Sequence, residues 1–313
     1  MSSVTADPAS PYQCRRPHRS EFIDLRGLRH HLLRWDAATP LPTHPSPPPL
    51  VLLHGWMDVG ASFQFMVDAL QASAQRQIFA IDWRGFGLSA SSGADAYWFP
   101  DYLGDLDALL DQLSPAAPVD LLGHSMGGNV VMSYAAVRPE RVRRLINLEG
   151  FGLPETRPEQ APQRLKEWLD DLKTQQQLKS YPSLQGVAQR LMKTNPRLSA
   201  AKAAWLAAHW ARETEDGSWH ILGDPAHKRS NPMLYRRDEI VAGWASIQAP
   251  LLWVEGACTD LSAWWGTRYP RADFEARLAV VPQVERRVLA DAAHMLHHDQ
   301  PQALAAALES FLA

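Results

Sequence analysis

Short apolar runs with no alternation constrain this chain most. Leu50-Val51-Leu52-Leu53 and Ile78-Phe79-Ala80-Ile81 are unbroken, and Val119 to Leu122 is interrupted only by Asp120. Runs of four are too short for a buried helix, and without a polar face they suit strands covered on both sides. Helical spacing fills the gaps, at Ala61 to Leu70 and Asp101 to Leu113. Strand and helix in alternation predict a parallel sheet with helices on both faces. The pattern goes on through a helix at Met126 to Val137 and a strand at Leu145 to Leu148. It resumes later with Leu251 to Val254, a helix at Arg271 to Leu278, a strand holding Val288 and Leu289, and a closing helix at Pro301 to Leu312. Two further strands, Phe22 to Leu25 and His31 to Trp35, flank a turn at Arg26-Gly27. The expected fold is α/β, a mostly parallel eight-stranded sheet with helices on both faces.

The alternation stops between Gly150 and Gln248. Only helical spacing is clear there, in Leu165, Trp168, Leu169 and Leu172 and again in Trp205, Leu206, His209 and Trp210. The predicted division is a core of residues 21–149 and 249–313, a helical cap of 150–248 inserted in it, and a disordered tail of 1–20. The tail is polar, with Pro8, Pro11 and Pro17 and the cations Arg15, Arg16 and Arg19, and has no apolar stretch suited to a signal peptide. Pro40 to Pro49 reads as a loop outside the sheet.

Composition narrows the classes of function. Thirty-one basic residues against 34 acidic ones give no broad positive field for nucleic acid. No run approaches the roughly 20 apolar residues of a membrane-spanning helix. Two cysteines, Cys14 and Cys258, make a disulfide framework unexpected and a reducing cytoplasm the default. The partner expected is a small-molecule substrate, with neither nucleic acid nor membrane.

Chemistry is concentrated in Gly123-His124-Ser125-Met126-Gly127, between a predicted buried strand and a helix. A G-x-S-x-G step there forces the serine onto a tight turn, with glycines where neighbouring backbone must pass. A hydroxyl so placed needs a base and an orienting carboxylate. His294, in Asp291-Ala292-Ala293-His294-Met295 after the last strand, is the candidate base. Serine before histidine, each after a core strand, resembles the α/β-hydrolase superfamily over residues 21 to 313. Asp82-Trp83-Arg84-Gly85-Phe86-Gly87-Leu88-Ser89 resembles that family's D-x-R-G-x-G-x-S loop, whose role is structural. His54-Gly55-Trp56 resembles its His-Gly-x motif.

The resemblance implies a serine hydrolase with an acyl-enzyme on Ser125 and His294 as general base and acid. It also implies an oxyanion hole from the backbone N–H groups of Trp56 and Met126. For the acid, Asp260 leads. Most relatives carry an aspartate three residues beyond a glycine after the strand that follows the cap, and here Asp260 lies four beyond Gly256, so a one-residue bulge would restore the geometry. The alternative is Glu149, at the end of the preceding strand, where some haloalkane dehalogenases of this fold place their acid. Serine in place of the aspartate nucleophile of dehalogenases and epoxide hydrolases disfavours halide displacement and epoxide opening. The expected substrate is a small, apolar carboxylic ester or related acyl compound. A ligand-binding protein without activity, a carbon–carbon hydrolase and a perhydrolase are the alternatives. Neither cofactor nor metal is expected: His297, His298 and Asp299 follow one another without the spacing that aims two imidazoles at one ion. Asp101, Asp105, Asp107 and Asp111 read as a solvated helix face.

Overall fold

The computed structural model describes residues 11–37, 47–71 and 75–313. The strands are β1 (Arg19–Leu25), β2 (Leu28–Trp35), β3 (Leu50–Leu53), β4 (Ile78–Ile81), β5 (Val119–His124), β6 (Val142–Leu148), β7 (Ser180–Tyr181), β8 (Ala211–Glu213), β9 (Trp219–Ile221), β10 (Leu251–Gly256) and β11 (Val284–Leu289). Eight of them form one sheet in the order β1-β2-β4-β3-β5-β6-β10-β11. The β1/β2 and β2/β4 pairs are antiparallel and every pair from β4 onward is parallel. This is the predicted fold class. Arg26 and Gly27, both at positive φ, turn β1 into β2.

The helices are α1 (Gln64–Val67), α2 (Phe99–Leu113), α3 (Met126–Val137), α4 (Ala161–Leu172), α5 (Leu184–Thr194), α6 (Ala200–Trp210), α7 (Arg237–Ala245), α8 (Leu261–Trp265), α9 (Arg271–Leu278), α10 (Leu296–Asp299) and α11 (Pro301–Leu312). Strand residues divide between two apolar clusters with period two, as a pleated strand covered on both faces must. Leu50, Leu52, Ile146, Leu148, Leu252 and Val254 join α1 and α11 on one side. Val51, Leu53, Leu145, Leu251 and Trp253 join α2, α3 and α9 on the other.

The segment between β6 and β10 is mostly helical but holds a feature that the sequence did not signal. β7, β9 and β8 form a three-stranded antiparallel sheet. With strands of only two or three residues, no alternation could develop. Helices α5 and α6 share the first apolar cluster with the sheet through Val187, Leu191, Ala203 and Leu206. Trp205 packs edge-on against Phe65 and Tyr12.

Several local expectations change. Residues 1–10 of the expected tail, and most of the Pro40 to Pro49 loop, lie outside the described residues. The rest of that tail is docked: Tyr12 donates to Asp68, and Arg16 donates its guanidinium to the carbonyls of Asp36 and Arg76 at 2.8 and 2.6 Å. Asp105 is buried, not solvated, because Arg84 grips it through two nitrogens at 2.6 and 2.5 Å and His30 stands 3.3 Å away. Asp82 organises its own loop, accepting from Gly60 N–H at 2.7 Å, Leu88 N–H at 3.0 Å and His31 Nδ1–H at 2.7 Å.

Candidate active site

The residues of interest gather at the carboxyl ends of the parallel strands, where open α/β sheets place their ligands. Ser125 joins β5 to α3 at φ 52°, ψ −114°, a conformation that costs a side-chain-bearing residue about 1–3 kcal/mol. The surrounding glycines are required sterically. A Cβ at Gly123 would collide with the Gly127 carbonyl, one at Gly127 with the Leu53 carbonyl, and one at Gly128 with the Asn147 side chain. Ser125 N–H donates to the Leu148 carbonyl at 2.9 Å, which anchors the turn on β6.

His294 lies beyond β11 in a loop that contains Asp291 at φ 54°. Gly256 lets that loop approach β10, since a Cβ there would meet the Ala292 carbonyl and, at 2.9 Å, Ala293 N. His294 Nδ1–H donates to Glu149 Oε2 at 2.8 Å. The imidazole is 31 % exposed and the carboxylate is fully buried. In the tautomer that donates from Nδ1, Nε2 is the acceptor.

Glu149, not Asp260, therefore stands against His294. Glu149 sits just past β6 at φ 55°, and its other oxygen accepts from Gly256 N–H at 2.7 Å and Thr259 Oγ–H at 2.6 Å. The bulge expected to carry Asp260 inward does not form. Asp260 is exposed and caps α8, accepting from Ser262 N–H at 2.8 Å and Ser262 Oγ–H at 2.6 Å. Those bonds hold its carboxyl below the ordinary aspartate range.

On the other side of Ser125, the loop after β3 runs close to the turn. A Cβ at Gly55 would come within 3.1 Å of both Ser125 Cβ and His124 Nδ1. Trp56 follows Gly55, and Met126 is the first residue of α3, where an N–H has no acceptor within its own helix. The Trp56 side chain is 53 % exposed. His54 is fully buried and uses both nitrogens, Nδ1–H on the Gly55 carbonyl at 2.7 Å and Nε2 accepting Trp83 N–H at 3.0 Å. Burial lowers its pKa, so the ring is a neutral strut.

Two features escaped the sequence reading. Trp264 meets the His294 ring edge to face at 4.6 Å and remains 40 % exposed. Its place next to Trp265 in a short helix gave no sign of this. His297 and His298, whose sequence spacing gives no metal pattern, are buried, and His297 lies beside Asp58 and His124 from distant parts of the chain. Burial drives the pKa of His124 and of His297 well below the ordinary value, and raises that of Asp58. Among the described residues no helix is long and apolar enough to cross a membrane.

Known proteins of similar sequence and structure agree with this architecture. The chain is 28 % identical over 176 residues to a serine hydrolase-like protein of Danio rerio, a match covering 54 % of this chain and 53 % of that one. It is 37 % identical over 147 residues to the cis-3-alkyl-4-alkyloxetan-2-one decarboxylase of Shewanella oneidensis, covering 45 % and 42 %. The chain thus spans about half the length of these curated relatives. The thioesterase domain from the curacin biosynthetic pathway superposes with a TM-score of 0.80 at 25 % identity, over 94 % of this chain and 99 % of that one. The sequence profile of the alpha/beta hydrolase fold matches residues 48–301, and the chain belongs to that family.

Proposed function

We propose that this protein is a serine hydrolase that cleaves a small, apolar carboxylic ester or related acyl compound. Ser125 attacks the carbonyl, His294 takes the proton at Nε2 and returns it to the leaving group, and water then releases the acyl group from Ser125. Glu149 fixes the imidazole tautomer and stabilises the imidazolium that forms. The N–H groups of Trp56 and Met126 receive the oxyanion. The observation that carries the reading is the 2.8 Å bond from His294 Nδ1 to a buried Glu149, beside a serine held at positive φ. Strain of that kind, kept next to a base and a buried acid, suits a nucleophile better than a turn with no role.

The apolar preference rests on Trp56, exposed in the loop whose Gly55 runs beside the serine turn, and on Trp264, partly exposed against the histidine. The relatives fit an acyl substrate: one is named a thioesterase, and another is named for an oxetan-2-one, which is a cyclic ester. A fluorophosphonate probe tests the nucleophile directly. The native chain should label and Ser125→Ala should not, with turnover of a p-nitrophenyl acyl ester falling by about 10⁶. Equal labelling of the two proteins would refute the assignment.

A further inference from the structure

Asp58, His124 and His297 meet in the interior next to the nucleophile turn. One ligand atom of each lies within 4.8 Å of those of the other two. All three residues are buried, at 5 %, 2 % and 0 % exposure. They come from the loop after β3, the end of β5 and α10, so the cluster is a product of the fold and not of local sequence.

Each also carries a polar atom left without a partner. Asp58 Oδ2, His124 Nδ1 and His297 Nδ1 have no hydrogen-bond partner among the described residues. His124 Nε2 faces the His294 carbonyl at 2.8 Å, and a carbonyl only accepts, so Nε2 carries the hydrogen and Nδ1 presents a lone pair. Ser62 Oγ stands 2.6 Å from His298 Nε2 and 3.2 Å from His297 Nε2. In the tautomer in which His297 Nε2 donates to Ser62, His297 Nδ1 presents a lone pair as well. With Asp58 ionised and the rings in these tautomers, two imidazole lone pairs and a carboxylate oxygen are left without a partner in one buried cluster, a set that a cation satisfies.

We propose that Asp58, His124 and His297 form a binding site for a divalent first-row transition-metal ion, zinc foremost. Two imidazoles with one carboxylate suit zinc, whereas magnesium and calcium favour sets made of oxygen. Ligands about 2.1 Å from one ion stand roughly 3.4 Å apart in a tetrahedron, so the three side chains draw inward on binding and leave a fourth position for water. Each ligand is also oriented from behind, as metal ligands usually are. His124 donates to the His294 carbonyl, His297 rests on Ser62, and Asp58 Oδ1 accepts Trp210 Nε1–H at 3.0 Å. The ion would brace the Trp56 loop, the Ser125 turn, the His294 loop and helix α6 against one another. This site stands independently of the proposed acyl chemistry.

The test uses the untagged full-length chain, stripped with a chelator, returned to Zn²⁺ or Co²⁺ and desalted. Elemental analysis should find one zinc per chain, melting should rise by about 5 °C at saturating zinc, and Co²⁺ should give the intense visible bands of a tetrahedral site. Asp58→Asn and His297→Gln should each weaken zinc binding about 100-fold or more, with circular dichroism reporting whether they fold. His220→Gln, at an exposed histidine, should bind as the native chain does. Native protein that holds no stoichiometric zinc and melts unchanged would overturn the proposal, whatever the variants do. So would loss of binding in His220→Gln, or native affinity in a folded double variant Asp58→Asn/His297→Gln.

Discussion

β6 and β10 lie side by side, parallel, and each ends in a turn with a carboxylate, yet the two carboxylates do opposite things. Glu149, after β6, is buried at positive φ and spends its oxygens on three donors from distant segments. Asp260, after β10, is exposed and spends its oxygen on Ser262, two residues away. Moreover, the β10 turn serves the β6 carboxylate, since Gly256 and Thr259 both donate to Glu149. A carboxylate is placed for chemistry by the donors that converge on it from elsewhere, and its distance from a glycine in sequence says little about that.

The most direct way to break this comparison is to neutralise each acid in turn. Glu149→Gln keeps the shape but offers His294 Nδ1 either an amide oxygen or an amide N–H, and no charge for the imidazolium. By analogy with the same change in a serine protease, ester turnover should fall by about 10⁴. The measurement is kcat on a p-nitrophenyl ester, with fluorophosphonate labelling slowed in parallel. If Glu149→Gln kept native turnover while Asp260→Asn lost it, the roles assigned to the two turns would be reversed.

Thr259 sharpens the comparison at a smaller scale. Its hydroxyl gives Glu149 a 2.6 Å bond, and its loss leaves the Gly256 N–H and His294 in place. A hydrogen bond to a charged group contributes about 1.5–3 kcal/mol, of which part reaches the transition state. Thr259→Val should lower kcat about tenfold with KM unchanged, and Thr259→Ser, which restores the hydroxyl, should recover most of the loss. A Val variant as fast as a Ser variant would show that the β10 turn does not position Glu149.

Strands were legible because burial on both faces writes itself as unbroken apolar runs: β3 and β4 coincide with their tetrads. The Ser125 turn was legible because its backbone demands glycines at 123, 127 and 128, and only sequence can meet that demand. What stayed hidden depended on convergence. Asp105 has the spacing of a solvated helical acid, and nothing local reveals that Arg84 and His30 close over it. The same holds for Asp58 and His297, far apart in the chain. Asp260 leads over Glu149 in sequence for the same reason, since the sequence offers a glycine count but not the donors that select between them.

Asp260→Asn is the smallest effect and the sharpest control. The side chain is an N-cap, and asparagine caps about as well as aspartate, so turnover should stay within about twofold of native. The charge still has a signature in stability. Bonds from Ser262 hold the carboxyl below its ordinary value of 3.8 in the fold. The unfolded chain therefore takes up this proton first as pH falls, and the stabilisation is fully present above pH 3.8 and lost as pH drops through the folded value. Asparagine does not titrate, so the variant should melt almost as the native chain does at pH 7 and show a slightly shallower decline below pH 4. Calorimetric melts at pH 7 and pH 3 measure both. A decline as steep as the native one would remove Asp260 even from this modest part, while a fall in turnover at pH 7 would return it to the candidate site.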